Sequence, residues 1–196
     1  MIESFLFDLD DTLIDTKIYR QIYPEVVKRL STQLKISETE LFLKVDKLGL
    51  KKNKYGNYDS GELSKSFKQL NLYYSILETA IKVNKSLHDN VLEVFSSLKN
   101  KGKRIGIVSN SMHRTIELYI QKYQLKVDFV FSSDDAGCNK DQERYWKRLI
   151  KKEKLTPKNC LVIGDNLHED VEVPSSLGFK TFYLDNVKKL KEVLMF

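Results

Sequence analysis

The sequence predicts an open α/β fold, a parallel sheet with helices on both faces, that carries a separate all-helical segment near its start. Three observations lead there. Short apolar runs of strand length recur along the 196 residues, the runs are continuous rather than alternating, and amphipathic helical stripes separate them. Continuous runs belong to strands buried on both faces, and the helices between them are the crossovers that parallel strands require.

The first run is Phe5-Leu6-Phe7, followed at once by the carboxylates of Asp8, Asp10, Asp11 and Asp15. Residues 16–88 break the strand rhythm. Tyr19, Ile22, Tyr23, Val26 and Leu30 recur at helical spacing, with Pro24 expected to kink or restart that helix. Asp15 is placed to cap it, and Ser37 with Glu40 forms a capping-box pattern before Leu41, Phe42, Val45 and Leu48. A polar loop, GLKKNKYGNYDSG at 49–61, precedes further helix through Leu63, Phe67 and Leu70 and then from Leu72 to Val83. The expected division is a core of residues 1–15 and 89–196 with a helical cap domain at 16–88.

From Asp89, read as a helix cap, the alternation resumes. Val91, Leu92, Phe95 and Leu98 form one stripe, Ile116, Tyr119, Ile120 and Tyr123 a second, and Tyr145, Trp146, Leu149 and Ile150 a third. The strands between and after them are Ile105 to Val108, Phe129 to Phe131, Leu161 to Ile163 and Phe179 to Leu184.

Composition narrows the function classes. The chain carries 33 basic and 27 acidic side chains, a net charge of +6, but the lysines are scattered, so no nucleic-acid partner is indicated. No basic segment precedes a long apolar run at MIESFLFD, which argues against a signal peptide and a membrane span. Cys138 and Cys160 make neither a C-x-x-C pair nor a disulfide framework, so a reducing cytoplasm is expected.

In open parallel sheets ligands sit beyond the carboxyl ends of the strands. Each such end here offers polar groups: Asp8, Asp10, Asp11 and Thr12; Ser109 and Asn110; the loop SSDDAGCNK ending at Lys140; and GDNLHED with Asp165, Glu169 and Asp170. Carboxylates gathered at one point need a cation or must take up protons. Hard oxygen ligands of this kind suit Mg²⁺, which commonly shares its shell with phosphate. Lys140 would add a fixed positive charge, and Ser109 with nearby amides would bind phosphate oxygens. A calcium loop of EF-hand type is excluded, since counting from Asp8 its glycine and glutamate positions hold Leu13 and Tyr19.

These stretches resemble the four ordered motifs of the haloacid dehalogenase superfamily, and more narrowly its phosphatases with a helical cap. DLDDT is similar to the first motif, D-x-D-x-T, VSNS to the second, SSDDAGCNK to the lysine loop and GDNLHEDV to the acidic fourth. The resemblance implies a Rossmann-like core with Asp8 as nucleophile, Asp10 as general acid and base, and Lys140 holding Asp8. It also implies Thr12, Ser109 and Asn110 at the phosphate, and Mg²⁺ on Asp8, the Asp10 main-chain oxygen and Asp165, with Asp170 ahead of Glu169 as the second acidic partner. Three departures stand out. Asp11 replaces a common glycine, Asp141 follows Lys140 where proline is frequent, and Pro174 interrupts the fourth-motif helix, predicted to be short or irregular.

The expected activity is Mg²⁺-dependent hydrolysis of a small phosphorylated metabolite. A phosphomutase or phosphotransferase of the same superfamily is the alternative. A receiver-like phospho-acceptor domain is disfavoured by the D-x-D spacing, and a dehalogenase by Asp10, for which it has no use. Lys51, Lys52, Lys54 and Tyr55 are candidates for substrate contact from a lid. His113 and His168 are assigned to the surface or the substrate rim and Trp146 to the core. The motifs name neither the substrate nor an oligomeric state.

Overall fold

The computed structural model describes residues 1–53 and 56–196. The chain forms two compact units, Met1–Asp15 with Leu87–Phe196, and Thr16–Ser86. Leu87 and His88, placed with the helices by sequence, belong to the first unit. Leu87 bridges Ile14, and the His88 N–H donates to the Leu13 carbonyl at 2.9 Å.

After strand β1 (Ser4–Phe7) come four helices, α1 (Lys17–Leu34), α2 (Glu38–Lys47), α3 (Ser60–Ser66) and α4 (Leu70–Val83). Together they bury Ile22, Val26, Leu30, Leu41, Leu63 and Leu77, each such side chain contributing about 1.5–3 kcal/mol. Pro24 lies inside α1 without breaking it, contrary to expectation. Pro24 is exposed, so its ring displaces no core side chain. Ser37 does cap α2, accepting from the Glu40 N–H at 3.1 Å, and Asp59 caps α3 in the same way at 2.7 Å. The cap position of α1 is Thr16, with no side-chain cap bond, so Asp15 is not its cap.

The remaining α-helices and strands are α5 (Val91–Asn100), β2 (Arg104–Ser109), α6 (His113–Tyr123), β3 (Phe129–Ser132), α7 (Ser133–Ala136), α8 (Glu143–Glu153), β4 (Cys160–Gly164), α9 (Val173–Ser176) and β5 (Lys180–Tyr183). The cap of α5 is Asn90, in left-handed backbone, rather than Asp89. All strand pairs are parallel, in the order β3-β2-β1-β4-β5. β1 is therefore central, with Phe7 level with Ile107 on one side and Ile163 on the other.

β1 and β4 are buried throughout, as their continuous apolar runs predict. β5 is not: at the sheet edge Lys180 and Tyr183 are exposed and Thr181 and Phe182 only partly buried, so the expected buried strand overstates its burial. The core beneath the site is aromatic. Phe131 meets Tyr145 edge-on at 5.0 Å, and Trp146 contacts both Tyr145 and Phe179 at 5.5 Å between ring centroids. No helix among the described residues is long and apolar enough to cross a membrane.

Gly106 in β2 faces the Phe129 ring so closely that an added Cβ would lie 2.3 Å from a ring carbon. Gly106→Ala is expected to lower unfolding free energy in denaturant titration by about 1–3 kcal/mol, through overpacking. Combining it with Phe129→Leu should recover much of that loss.

Candidate active site

The ladder of β1 runs one residue past its end, the Asp8 N–H donating to the Ile163 carbonyl at 2.8 Å. This fixes Asp8 by its backbone at the carboxyl edge of the central strand. The chain then turns tightly. Leu13 and Ile14 both donate to the Leu9 carbonyl, and the Asp11 N–H donates to the Ile14 carbonyl at 2.8 Å. Asp11 adopts φ of 55°, a left-handed backbone that glycine takes freely and aspartate more readily than most. The residue that stands in place of a common glycine thus takes the backbone conformation glycine would take in the turn.

Lys140 reaches Asp8 from the loop after β3. Its Nζ makes a close ion pair with Asp8 Oδ1 and bonds Asp170 Oδ1 at 2.7 Å, with 2% of the residue exposed. The main chain of Lys140 is held on both sides. Its N–H donates to Asn110 Oδ1 at 2.8 Å, and its carbonyl accepts from Trp146 Nε1 at 2.9 Å. The loop leading to it starts from a capping box in which Ser132 and Asp135 bond reciprocally. Burial works against the charge on Asp135, but Lys152 and Ser132 hold its carboxyl well below the usual range.

Asp170 enters from a π-helix, Leu167–Glu172, capped by Asn166. Pro174 is the second residue of the four-residue α9 that follows directly, so this segment is short and irregular. The Asp170 carboxylate also accepts from the Asn166 N–H at 3.2 Å. It packs so tightly on β4 that a Cβ on Gly164 would lie 2.2 Å from it.

Carboxylate oxygens of Asp8, Asp165 and Asp170 lie within 4.8 Å of one another. Burial is the main cause that raises the Asp8 carboxyl, helped by Asp170 and Asp10 and opposed by Lys140. Asp165, half-buried, is pushed up to about 6 by burial and then by the charges of Asp11 and Asp170. Burial alone would weaken the charge of Lys140, yet Asp8 and Asp170 outweigh it and hold the ammonium above the ordinary lysine range. The site therefore carries more negative charge than one ammonium offsets. Three converging hard oxygen donors with that surplus fit Mg²⁺.

The other sequence-predicted residues fall differently. The Asp10 carboxylate is outside the three-carboxylate cluster and accepts from Ser111 Oγ at 2.7 Å. Ser109 is buried, its hydroxyl accepting from the Ser111 N–H at 3.0 Å. The Thr12 hydroxyl is fully buried without a hydrogen-bond partner among the described residues. Asn110, expected at the phosphate, spends its carboxamide on Lys140 and on Glu169 Oε2, at 2.8 Å each. Glu169 is thereby joined to Asn110, and Asp170 to Lys140. Lys51 and Lys52 are exposed in the helical unit, with the Lys52 ammonium 5.2 Å from the Tyr58 ring centre; Lys54 and Tyr55 lie outside the described residues. His113 and His168 pair with Asp135 and Glu172.

Sequence reasoning did not single out Ser111, Asn166 or Gly164, nor the indole N–H of Trp146 as a support for Lys140. Ser111 closes the VSNS stretch, but nothing in its spacing shows that it meets Asp10.

A parallel sheet with an acidic cluster and a buried lysine at its carboxyl edge defines a hydrolase core of Rossmann-like type. The chain belongs to the haloacid dehalogenase-like hydrolases, whose family profile matches residues 2–178. It is 26% identical over 195 residues to pyrophosphatase PpaX of Bacillus cereus (strain Q1), covering 92% of this chain and 82% of that protein. It is 21% identical over 204 residues to the glyceraldehyde 3-phosphate phosphatase of Methanothermobacter thermautotrophicus, covering 95% and 87%. In fold it matches the crystal structure of a HAD phosphatase from Thermococcus onnurineus, with a TM-score of 0.75, 21% identity and 98% of each chain covered.

Gly164→Ala should displace the Asp170 carboxylate, lowering turnover at least about tenfold and stability by about 1–3 kcal/mol, measured by steady-state kinetics and chemical unfolding. A second expectation concerns pH. An Asp165 carboxyl raised in the folded state to about 6, from the usual 3.8, binds protons that the unfolded chain has released. Its contribution to stability is thus present at low pH and lost as pH rises through about 4 to 6. In chelator, wild-type melting temperature should fall relative to Asp165→Asn across that interval; parallel profiles would contradict the shift.

Proposed function

We propose that this protein is a Mg²⁺-dependent phosphomonoester hydrolase that cleaves a small phosphorylated metabolite through an aspartyl-phosphate on Asp8. The observation that carries the reading is the buried Lys140 ammonium shared by Asp8 and Asp170 at the carboxyl edge of the central strand. Such a charge, held away from water, is worth far more to a transferring phosphoryl group than an exposed lysine. The relatives named a pyrophosphatase and a glyceraldehyde 3-phosphate phosphatase both act at phosphorus by name, which supports the reaction class.

Asp8 is the nucleophile. One of its carboxylate oxygens bonds to phosphorus as the ester P–O bond breaks, and the leaving oxygen takes a proton from Asp10. Asp10, now a carboxylate oriented by Ser111 Oγ, then removes a proton from water. The water oxygen displaces Asp8 from phosphorus, releasing inorganic phosphate and restoring both aspartates. Lys140 keeps Asp8 in place and offsets charge on the phosphoryl oxygens, and Asp170 keeps Lys140 in place. The Ser109 hydroxyl, which accepts from Ser111, retains its own proton to give to a phosphoryl oxygen. Asp8, Asp165 and Asp170, with the Asp10 main-chain oxygen, would hold Mg²⁺, which supplies charge neutralisation for the approach of an anionic nucleophile to an anionic ester.

A panel of phosphomonoesters should release inorganic phosphate in Mg²⁺ and not in chelator, and Asp8→Asn should lower kcat by roughly 10³-fold or more. Wild-type inactivity on every ester, or an active Asp8→Asn, would sink the mechanism. An isomerised ester in place of free phosphate would turn the reading to a phosphomutase.

A further inference from the structure

We infer that Asn110 is a positioning residue for Lys140 rather than a phosphate ligand, and that it acts as a clamp locked from behind by Glu169. The inference rests on the catalytic reading of Lys140 given above.

The carboxamide has two ends, and both are committed. A backbone N–H can only donate, so the atom facing the Lys140 N–H at 2.8 Å is the carbonyl oxygen. That orientation leaves the NH₂ group facing Glu169 Oε2, also at 2.8 Å, where a carboxylate can only accept. The arrangement thus has one polarity. The Asn110 main chain is occupied as well, its carbonyl accepting from Ser133 Oγ at 2.7 Å. One residue therefore ties together the loops after β2, β3 and β4.

The tie matters because of what it holds. The Lys140 main chain is gripped on one side by Asn110 and on the other by Trp146 Nε1, within a loop that crosses no further strand. Its ammonium must meet Asp8 and Asp170 together, and positioning errors of about 1 Å are costly in a preorganised site. Releasing the N–H side lets the loop shift while leaving the Ser109 hydroxyl, held by the Ser111 N–H, in place for the phosphoryl group. The cost should fall on turnover and spare substrate affinity.

The test is a reversal of polarity. Asn110→Ala removes both bonds without adding charge and should lower kcat at least tenfold while KM changes less than threefold. Asn110→Asp still accepts from Lys140 but faces Glu169 with a second carboxylate, so it should also lose kcat. Glu169→Gln can turn its amide oxygen toward Asn110 and should stay within threefold of wild type. The double variant Asn110→Asp with Glu169→Gln restores a donor–acceptor pair in the opposite sense and should recover at least half of the logarithmic loss of Asn110→Asp. A rise in KM matching or exceeding the fall in kcat would make Asn110 a phosphate ligand and overturn the inference. So would a double variant no better than Asn110→Asp, or an Asn110→Ala enzyme with unchanged kcat. Inactivity of the wild type on all esters would instead refute the hydrolase reading beneath it.

Discussion

The structure is organised around one buried cation. The Lys140 ammonium sits between Asp8 and Asp170 with almost no access to water. Taking such charges out of water is costly, and only close pairing offsets it; a partner removed from a buried ionic group of this kind typically costs about 3–5 kcal/mol. The three loops that supply these groups are therefore constrained together. The tight turn after β1, the capping box after β3 and the π-helix after β4 each present one member at a fixed place.

Sheet topology decides why they can meet. With β1 central and the strand order reversing direction on either side of it, β2 and β4 flank the same strand end. The loops that follow them open onto the crevice where parallel sheets bind ligands. Backbone bonds then make the placement rigid: Asp8 is a continuation of the β1 ladder, and Asp170 lies on a glycine that leaves no room for a side chain. Negative charge in excess of the one ammonium is the remaining imbalance; burial first, and neighbouring carboxylates after it, raise the carboxyls of Asp8 and Asp165, and the converging oxygen donors suit a divalent cation.

Much of the fold was legible because its signals are local. A strand buried on both faces must be apolar at every position, and β1, β2 and β4 read that way. The same rule misled at β5, where the run Phe179 to Leu184 includes Lys180 and Thr181 and lies at an edge, and Pro24 misled because α1 carries it on an exposed position without breaking. Helix caps were read at Ser37, missed at Asp59, and placed one residue early at Asp89 and Asp15, since several polar residues adjoin each boundary and only backbone angles choose among them.

By itself the sequence determined which chemical groups follow which strand, since residue order within a loop is covalent: carboxylates after β1, a hydroxyl at the end of β2, a lysine after β3, three carboxylates after β4. Tertiary structure alone decided what those groups do to one another. That Asp11 fills a left-handed turn, that Asp10 meets Ser111, that Asn110 clamps Lys140, and that Asp170 rather than Glu169 pairs with the ammonium all depend on backbone angles and on contacts between loops far apart in sequence. Hydrogen bonds require donor–acceptor distances near 2.8 Å and a donor facing an acceptor, and residue spacing carries neither quantity.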